Sequence, residues 1–149
     1  MSSHLEASIV VSRSLETIPR FFDDPRSLTA WDKSVASVEV TCEGPVRVGY
    51  TFDTIGPPRG KQPGLRSSYR VIQLEPRVNR VELVRSAMFR KAVWSFEFEP
   101  VVQGTEITCG IDFELAPKYF LLWPLIRFNR RALRRDLTQL KRAMESGEF

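Results

Sequence analysis

Histidine and cysteine are scarce in this sequence: 149 residues hold one histidine, His4, and two cysteines, Cys42 and Cys109. A single imidazole at the start of the chain leaves a catalytic dyad or triad without partners. Together with scattered carboxylates it makes no ligand cluster, so neither a metal nor another cofactor is expected. The two cysteines lie far apart with no CxxC spacing, which signals neither a zinc site nor a disulfide framework, and both are expected to be reduced thiols. No stretch approaches the roughly 20 apolar residues that cross a bilayer. Residues 1–11 alternate in polarity and lack the apolar core of a signal peptide, so a cytoplasmic protein is expected. With 42% hydrophobic and 27% charged residues, the composition is that of a globular chain, and its length suits a single domain over residues 1–149.

The net charge of +4 is unevenly placed. Residues 124–145 carry seven basic side chains (Arg127, Arg130, Arg131, Arg134, Arg135, Lys141, Arg142) against Asp136 and Glu145, whereas the remainder has 15 basic and 16 acidic residues. The excess therefore sits on one element. No groove-reading motif accompanies it, so nucleic acid is not an expected partner.

Leu5 to Val11 alternates as a strand does. A short helix then fits residues 14–22, with Ser14 as cap and Asp23-Asp24-Pro25 as its end, and a second helical piece fits 26–31. Beyond Val35 the pattern is of strands and turns: 37–42 and 47–54 as a hairpin around Glu43-Gly44-Pro45, then 67–74, 80–85, 90–99 and 106–115. Three glycines and three prolines within 55–66 make that segment a long connecting loop, of the kind that often covers a site. Alternation is clearest in the last two strands. Ala92, Trp94, Phe96 and Phe98 share one face of their strand and Ile107, Cys109, Ile111 and Phe113 one face of theirs, as in an antiparallel sheet wet on one side. Pro124 suits the first turn of a helix that runs to about Glu145, roughly 33 Å at 1.5 Å per residue. At about 100° per residue, Ile126, Leu133, Leu137, Leu140 and Met144 fall in one apolar stripe, away from most of the arginines.

The order strand, two short helices, six strands, long helix resembles the START-like, helix-grip (SRPBCC) superfamily, which includes polyketide cyclases and dehydratases, pollen-allergen-type carriers and lipid- or quinone-binding proteins. The residues that carry the resemblance are Trp31-Asp32, Gly44-Pro45, Val48-Gly49, Glu75-Pro76-Arg77, Gly104-Thr105 and Leu133, Leu137 and Leu140, spread over nearly the whole chain. The resemblance implies an α+β fold in which a curved antiparallel sheet of about seven strands grips the C-terminal helix. It also implies a cavity between the concave face and the front half of that helix. Because this superfamily hosts many functions, it fixes none.

Residues whose phase puts them on such a cavity are Trp31, Tyr50, Phe52, Tyr69, Leu83, Arg85, Trp94, Phe96, Cys109, Phe113, Trp123, Ile126, Asn129 and Arg130, with Tyr119, Phe120 and Leu122 nearby. The same aromatics serve equally to fill a core. Cys109 on the apolar phase reads as a small hydrophobe. Tyr69, Arg85 and Arg130 are the catalytic candidates: an arginine can hold a carboxylate or enolate and a tyrosine can polarise a carbonyl. Their ordinary roles are also open, with Arg85 reaching water from a strand end and Arg130 pairing with a surface carboxylate. Asp53 and Glu82, on the polar phase, are expected to be solvated. The expected partner is a hydrophobic small molecule, either turned over by a polyketide cyclase/dehydrase-like reaction or simply carried as a lipid, quinone or other metabolite. A lesser alternative is peripheral contact with an anionic membrane through the basic helix face and Phe128, which serves equally as a homodimer contact of an otherwise monomeric chain.

Overall fold

The computed structural model describes residues 3–18, 24–86, 89–117 and 130–146. Seven strands form one antiparallel sheet: β1 (Ser3–Val11), β2 (Ser37–Val40), β3 (Thr51–Ile55), β4 (Arg66–Glu75), β5 (Val78–Arg85), β6 (Phe89–Val101) and β7 (Gly104–Leu115). Their order across the sheet is β1-β7-β6-β5-β4-β3-β2. Between β1 and β2 come two single 3-10 turns, Leu15–Thr17 and Pro25–Ser27, and a four-residue helix, α1 (Leu28–Trp31). Asp24 caps the second turn by accepting the Arg26 N–H at 2.9 Å, with Pro25 in the first position, where its missing donor costs nothing. The C-terminal helix, α2, is described over Arg130–Glu145. The curved sheet around this helix is the helix-grip α+β arrangement.

The apolar stripe of α2 is what the sheet grips. Leu133, Leu137, Leu140, Ala143 and Met144 are buried, in one cluster with Ala7, Val11, Phe96, Phe98, Ile107 and Cys109. Each fully buried leucine contributes about 2 kcal/mol relative to an exposed one. The end of the helix is tied to β1 and the two residues after it by three polar contacts: Lys141 Nζ donates to the Val10 carbonyl at 3.0 Å, Arg13 Nε to the Met144 carbonyl at 3.0 Å, and the Ser12 N–H to Glu145 Oε2 at 2.9 Å. The helix thus lies on the β1-β7-β6 side. On the other side, Tyr50, Phe52 and Val71 form a separate cluster with Leu28, Tyr69, Leu74 and Val81.

Several sequence expectations need adjusting. The expected strand over 47–54 is shifted, because Arg47 folds back to donate to the Glu43 and Pro45 carbonyls and Gly49 takes φ +94°. The chain turns there, and the ladder starts only at Thr51. Two register shifts interrupt the β4–β5 pair: Ile72 is passed over between Val71↔Val81 and Gln73↔Arg80, and Val84 between Tyr69↔Leu83 and Ser68↔Arg85. Such an extra residue flips the phase of whatever follows it. Asp53 and Glu82 are not merely solvated, since Arg66 binds both Glu39 (2.7 Å) and Asp53 (2.8 Å), and Arg70 binds Glu82. Trp123, Ile126 and Asn129, with Tyr119, Phe120, Leu122, Pro124, Arg127 and Phe128, lie outside the described residues, as does the end of the first short helix.

Candidate functional site: an aromatic pocket with two carboxyls

Because α2 covers one half of the concave face, the other half borders an open volume. This pocket measures about 680 Å³. Its sheet wall carries Phe52, Tyr69, Val71, Trp94 and Phe96; α1 and the residues after it supply Trp31 and Asp32; α2 supplies Ala132, Arg135 and Asp136; the 55–66 loop adds Pro57, Pro58 and Arg59. The aromatics brace one another. Phe52 and Tyr69 stack with centroids 5.5 Å apart and 19° between planes, and the Trp31 ring meets Phe96 edge-on at 6.0 Å.

Of the residues chosen from sequence, Trp31, Tyr50, Phe52, Tyr69, Trp94 and Phe96 line this pocket. Others lie elsewhere. Leu83 and Phe113 pack with Ala92 and Ile111 in a cluster beside the pocket-lining Phe89 and Trp94. Cys109 is 1% exposed in the core beneath α2, and burial holds its thiol far above the ordinary value. Arg130 is exposed at the start of the described part of α2. Arg85 is exposed because the bulge at Val84 pairs it with Ser68 on the outer face, while Ser67, Tyr69 and then Ser86 face the pocket. His4 sits outside the pocket, bonded through Nδ1 to Asp112 at 2.7 Å and through Nε2 to Glu6 at 3.2 Å.

The polar groups of the pocket form a cluster that periodicity did not bring forward. Burial first, and the charge of Asp32 second, raise the Tyr69 phenol to about 12 despite hydrogen bonding with Thr54, Trp94 and Ser67. Tyr69 is therefore a proton donor at any working pH. Asp32 accepts from Ser34 through the backbone N–H (3.0 Å) and Oγ (2.6 Å), yet burial still raises its carboxyl. Asp136 is raised to about 6, chiefly by burial and then by Asp32, against the pull of Arg135 and Lys33. Like charges in a poorly solvated site disfavour ionisation, which is how Asp32 adds to the rise at Asp136. Buried Asn79 also lines the pocket. The Trp31 indole N–H is buried with no acceptor among the described residues. One sequence signal pointed to Asp136: it stands three residues after Leu133 and four before Leu140, which places a carboxyl at the edge of the apolar stripe.

A curved sheet gripping a helix, with an aromatic pocket opened beside it, defines a START-like helix-grip domain. A family model described as "Polyketide cyclase / dehydrase and lipid transport" matches residues 2–145, and the chain belongs to that family. Among solved structures it is similar to the Zhui aromatase/cyclase of Streptomyces sp. R1128 (TM-score 0.78, 13% identity, covering 97% of this chain and 94% of that one). A protein of Thermus thermophilus superposes with TM-score 0.76 at 19% identity, covering 97% and 99%. A START superfamily protein of Mycobacterium smegmatis gives 0.68 at 16%, covering 96% and 94%. At such identities the likeness is one of fold. No curated protein matches the sequence.

Proposed function

We propose that the chain binds a hydrophobic or aromatic small molecule in the pocket between the sheet and α2. The observation that carries this reading is the pocket itself: about 680 Å³ of mostly aromatic and aliphatic wall with a few convergent polar groups, within the size and chemistry of small-molecule sites. Native mass spectrometry of the purified protein, followed by denaturing extraction, tests it. A retained hydrophobic compound is expected. A bare protein that also fails to bind a panel of aromatic compounds would refute it.

Two uses of the pocket follow from its chemistry. In the first, a cyclase/dehydrase-like enzyme, the aromatic walls fold a reactive chain into a near-attack geometry. Asp136, protonated below about pH 6, hands its proton to a leaving hydroxyl that departs as water, ionised Asp32 on the same lining takes the proton lost from the neighbouring carbon as the double bond forms, and the Tyr69 hydroxyl donates to the carbonyl whose oxygen gains charge. In the second, the pocket only carries its ligand. The observation favouring this use is the mostly aromatic and aliphatic wall, which holds a ligand by burying its apolar surface. Incubating the extracted compound with fresh protein separates the two. A new product that disappears in Tyr69→Phe and Asp136→Asn identifies turnover, and unchanged recovery identifies carriage.

A further inference from the structure

Two of the buried polar side chains line the pocket, Thr54 and Asn79. Thr54 hydrogen-bonds with Tyr69. Asn79, only 8% exposed, has no hydrogen-bond partner for its side-chain amide among the described residues. We propose that Asn79 sets the specificity of the pocket by hydrogen-bonding a hydroxyl or carbonyl oxygen on an aromatic ligand, so that the oxygenated compound is taken in preference to the hydrocarbon of the same shape. This rests on the reading that the pocket holds a ligand, and it names the chemical class of that ligand.

The surroundings of Asn79 are apolar. Its ladder partners are Leu74 on β4 and Phe96 on β6, and Val81 follows two residues later on β5; all three share the lining. A strand position among such neighbours ordinarily carries a branched aliphatic or aromatic side chain. An amide there is costly unless it is paired. Nor is it sealed in the core: the unpartnered side-chain atom cut off from solvent among the described residues is Trp31 Nε1, whereas the Asn79 amide keeps accessible surface on the pocket wall. Water reaches it there, and an entering ligand must either replace the hydrogen bonds of that water or leave the amide unpaired. The amide offers one acceptor and two donors, which complements a hydroxyl or, through the donors alone, a carbonyl. Asn79 lies four residues along β5 from Leu83, the ladder partner of Tyr69, which is roughly 13 Å at about 3.3 Å per residue. It is therefore a polar point separate from the hydroxyls around Tyr69, and the two read different ends of a ligand.

The test uses the full chain and two probes of nearly the same shape, naphthol and methylnaphthalene substituted at the same ring position, each followed by fluorescence titration at neutral pH. An all-apolar wall favours the hydrocarbon, which costs less to take out of water. Wild-type protein is expected to bind naphthol at least about threefold more tightly, because the hydrocarbon displaces water from the amide and leaves it unpaired. In Asn79→Leu the preference should reverse, a swing of about tenfold or more in the ratio of the two affinities. Asn79→Ala, a second variant in case leucine overfills the site, should reverse it too. A residue that only shaped the wall would weaken both probes alike and leave their ratio unchanged. The proposal is overturned if wild-type protein prefers methylnaphthalene or binds the two equally, or if the folded variants keep the preference for naphthol. Binding of both probes without the expected pattern sinks the role of Asn79 and leaves the ligand pocket standing. Binding of neither sinks both.

Discussion

Replacing Asp136 by asparagine keeps the shape of the side chain and removes its ionisation. The native carboxyl is raised from an ordinary 3.8 to about 6, so between those two values the folded chain holds a proton that the unfolded chain has released. A raised acid therefore contributes its stability fully below about pH 4, and that contribution is lost as pH rises through about 6. The gap of roughly two pH units corresponds to about 3 kcal/mol at about 1.36 kcal/mol per unit. Asp136 is only half-buried, and solvent screening discounts this to about 1–1.5 kcal/mol. Asp136→Asn should thus be more stable than wild type by about 1 kcal/mol near pH 8 and equal to it near pH 4, which for a chain of this length is a rise in Tm of about 2–4 °C at the higher pH only. Thermal unfolding followed by circular dichroism at both pH values measures it. An equal change at the two pH values, or a loss at pH 8, would mean that Asp136 is well solvated or compensated in the folded chain.

The remaining expectations concern the core and the thiols. Leu137 is 1% exposed under the sheet, and Leu137→Ala should lower the unfolding free energy in urea by about 3 kcal/mol. Cys109, buried and with its thiol raised far above the ordinary value, should resist an aromatic disulfide reagent until the chain is unfolded, whereas half-buried Cys42 should react in the native protein. Equal labelling of both cysteines in native protein would contradict the packing around β7.

The fold was legible where one physical period ran uninterrupted. In β6 and β7 every second residue is apolar, and the observed ladder Ala92↔Phe113, Trp94↔Ile111, Phe96↔Cys109, Phe98↔Ile107 puts those residues side by side on one face. The leucine stripe of α2 was equally plain. Legibility failed at the bulges, since nothing in the local pattern marks Ile72 or Val84 as the residue to be passed over. Both are apolar, and both end up exposed, at 37% and 54%. A sequence reader who keeps strict alternation through Val84 turns Arg85 inward and Ser86 outward, the reverse of the structure. The shift of β3 has another origin, in the side chain of Arg47 bonding back onto its own turn.

The two carboxyls were hidden for a different reason. A carboxylate in a helix rich in arginine is taken as solvated, and an aspartate after a tryptophan as part of a turn. Each is a sound default for the residue alone. Their coupling exists only because α1 and α2 meet across the pocket, a long-range relation that no local period encodes. Ionising Asp136 costs the native state stability, and the same carboxyl lines the pocket. Stability and turnover should then move in opposite directions in one variant. Asp136→Asn is expected to melt higher at pH 8 and at the same time to lose the turnover that a cyclase/dehydrase-like pocket would show. An aspartate that merely shaped the helix surface would yield neither effect, and one that only packed against the pocket wall would yield the first without the second.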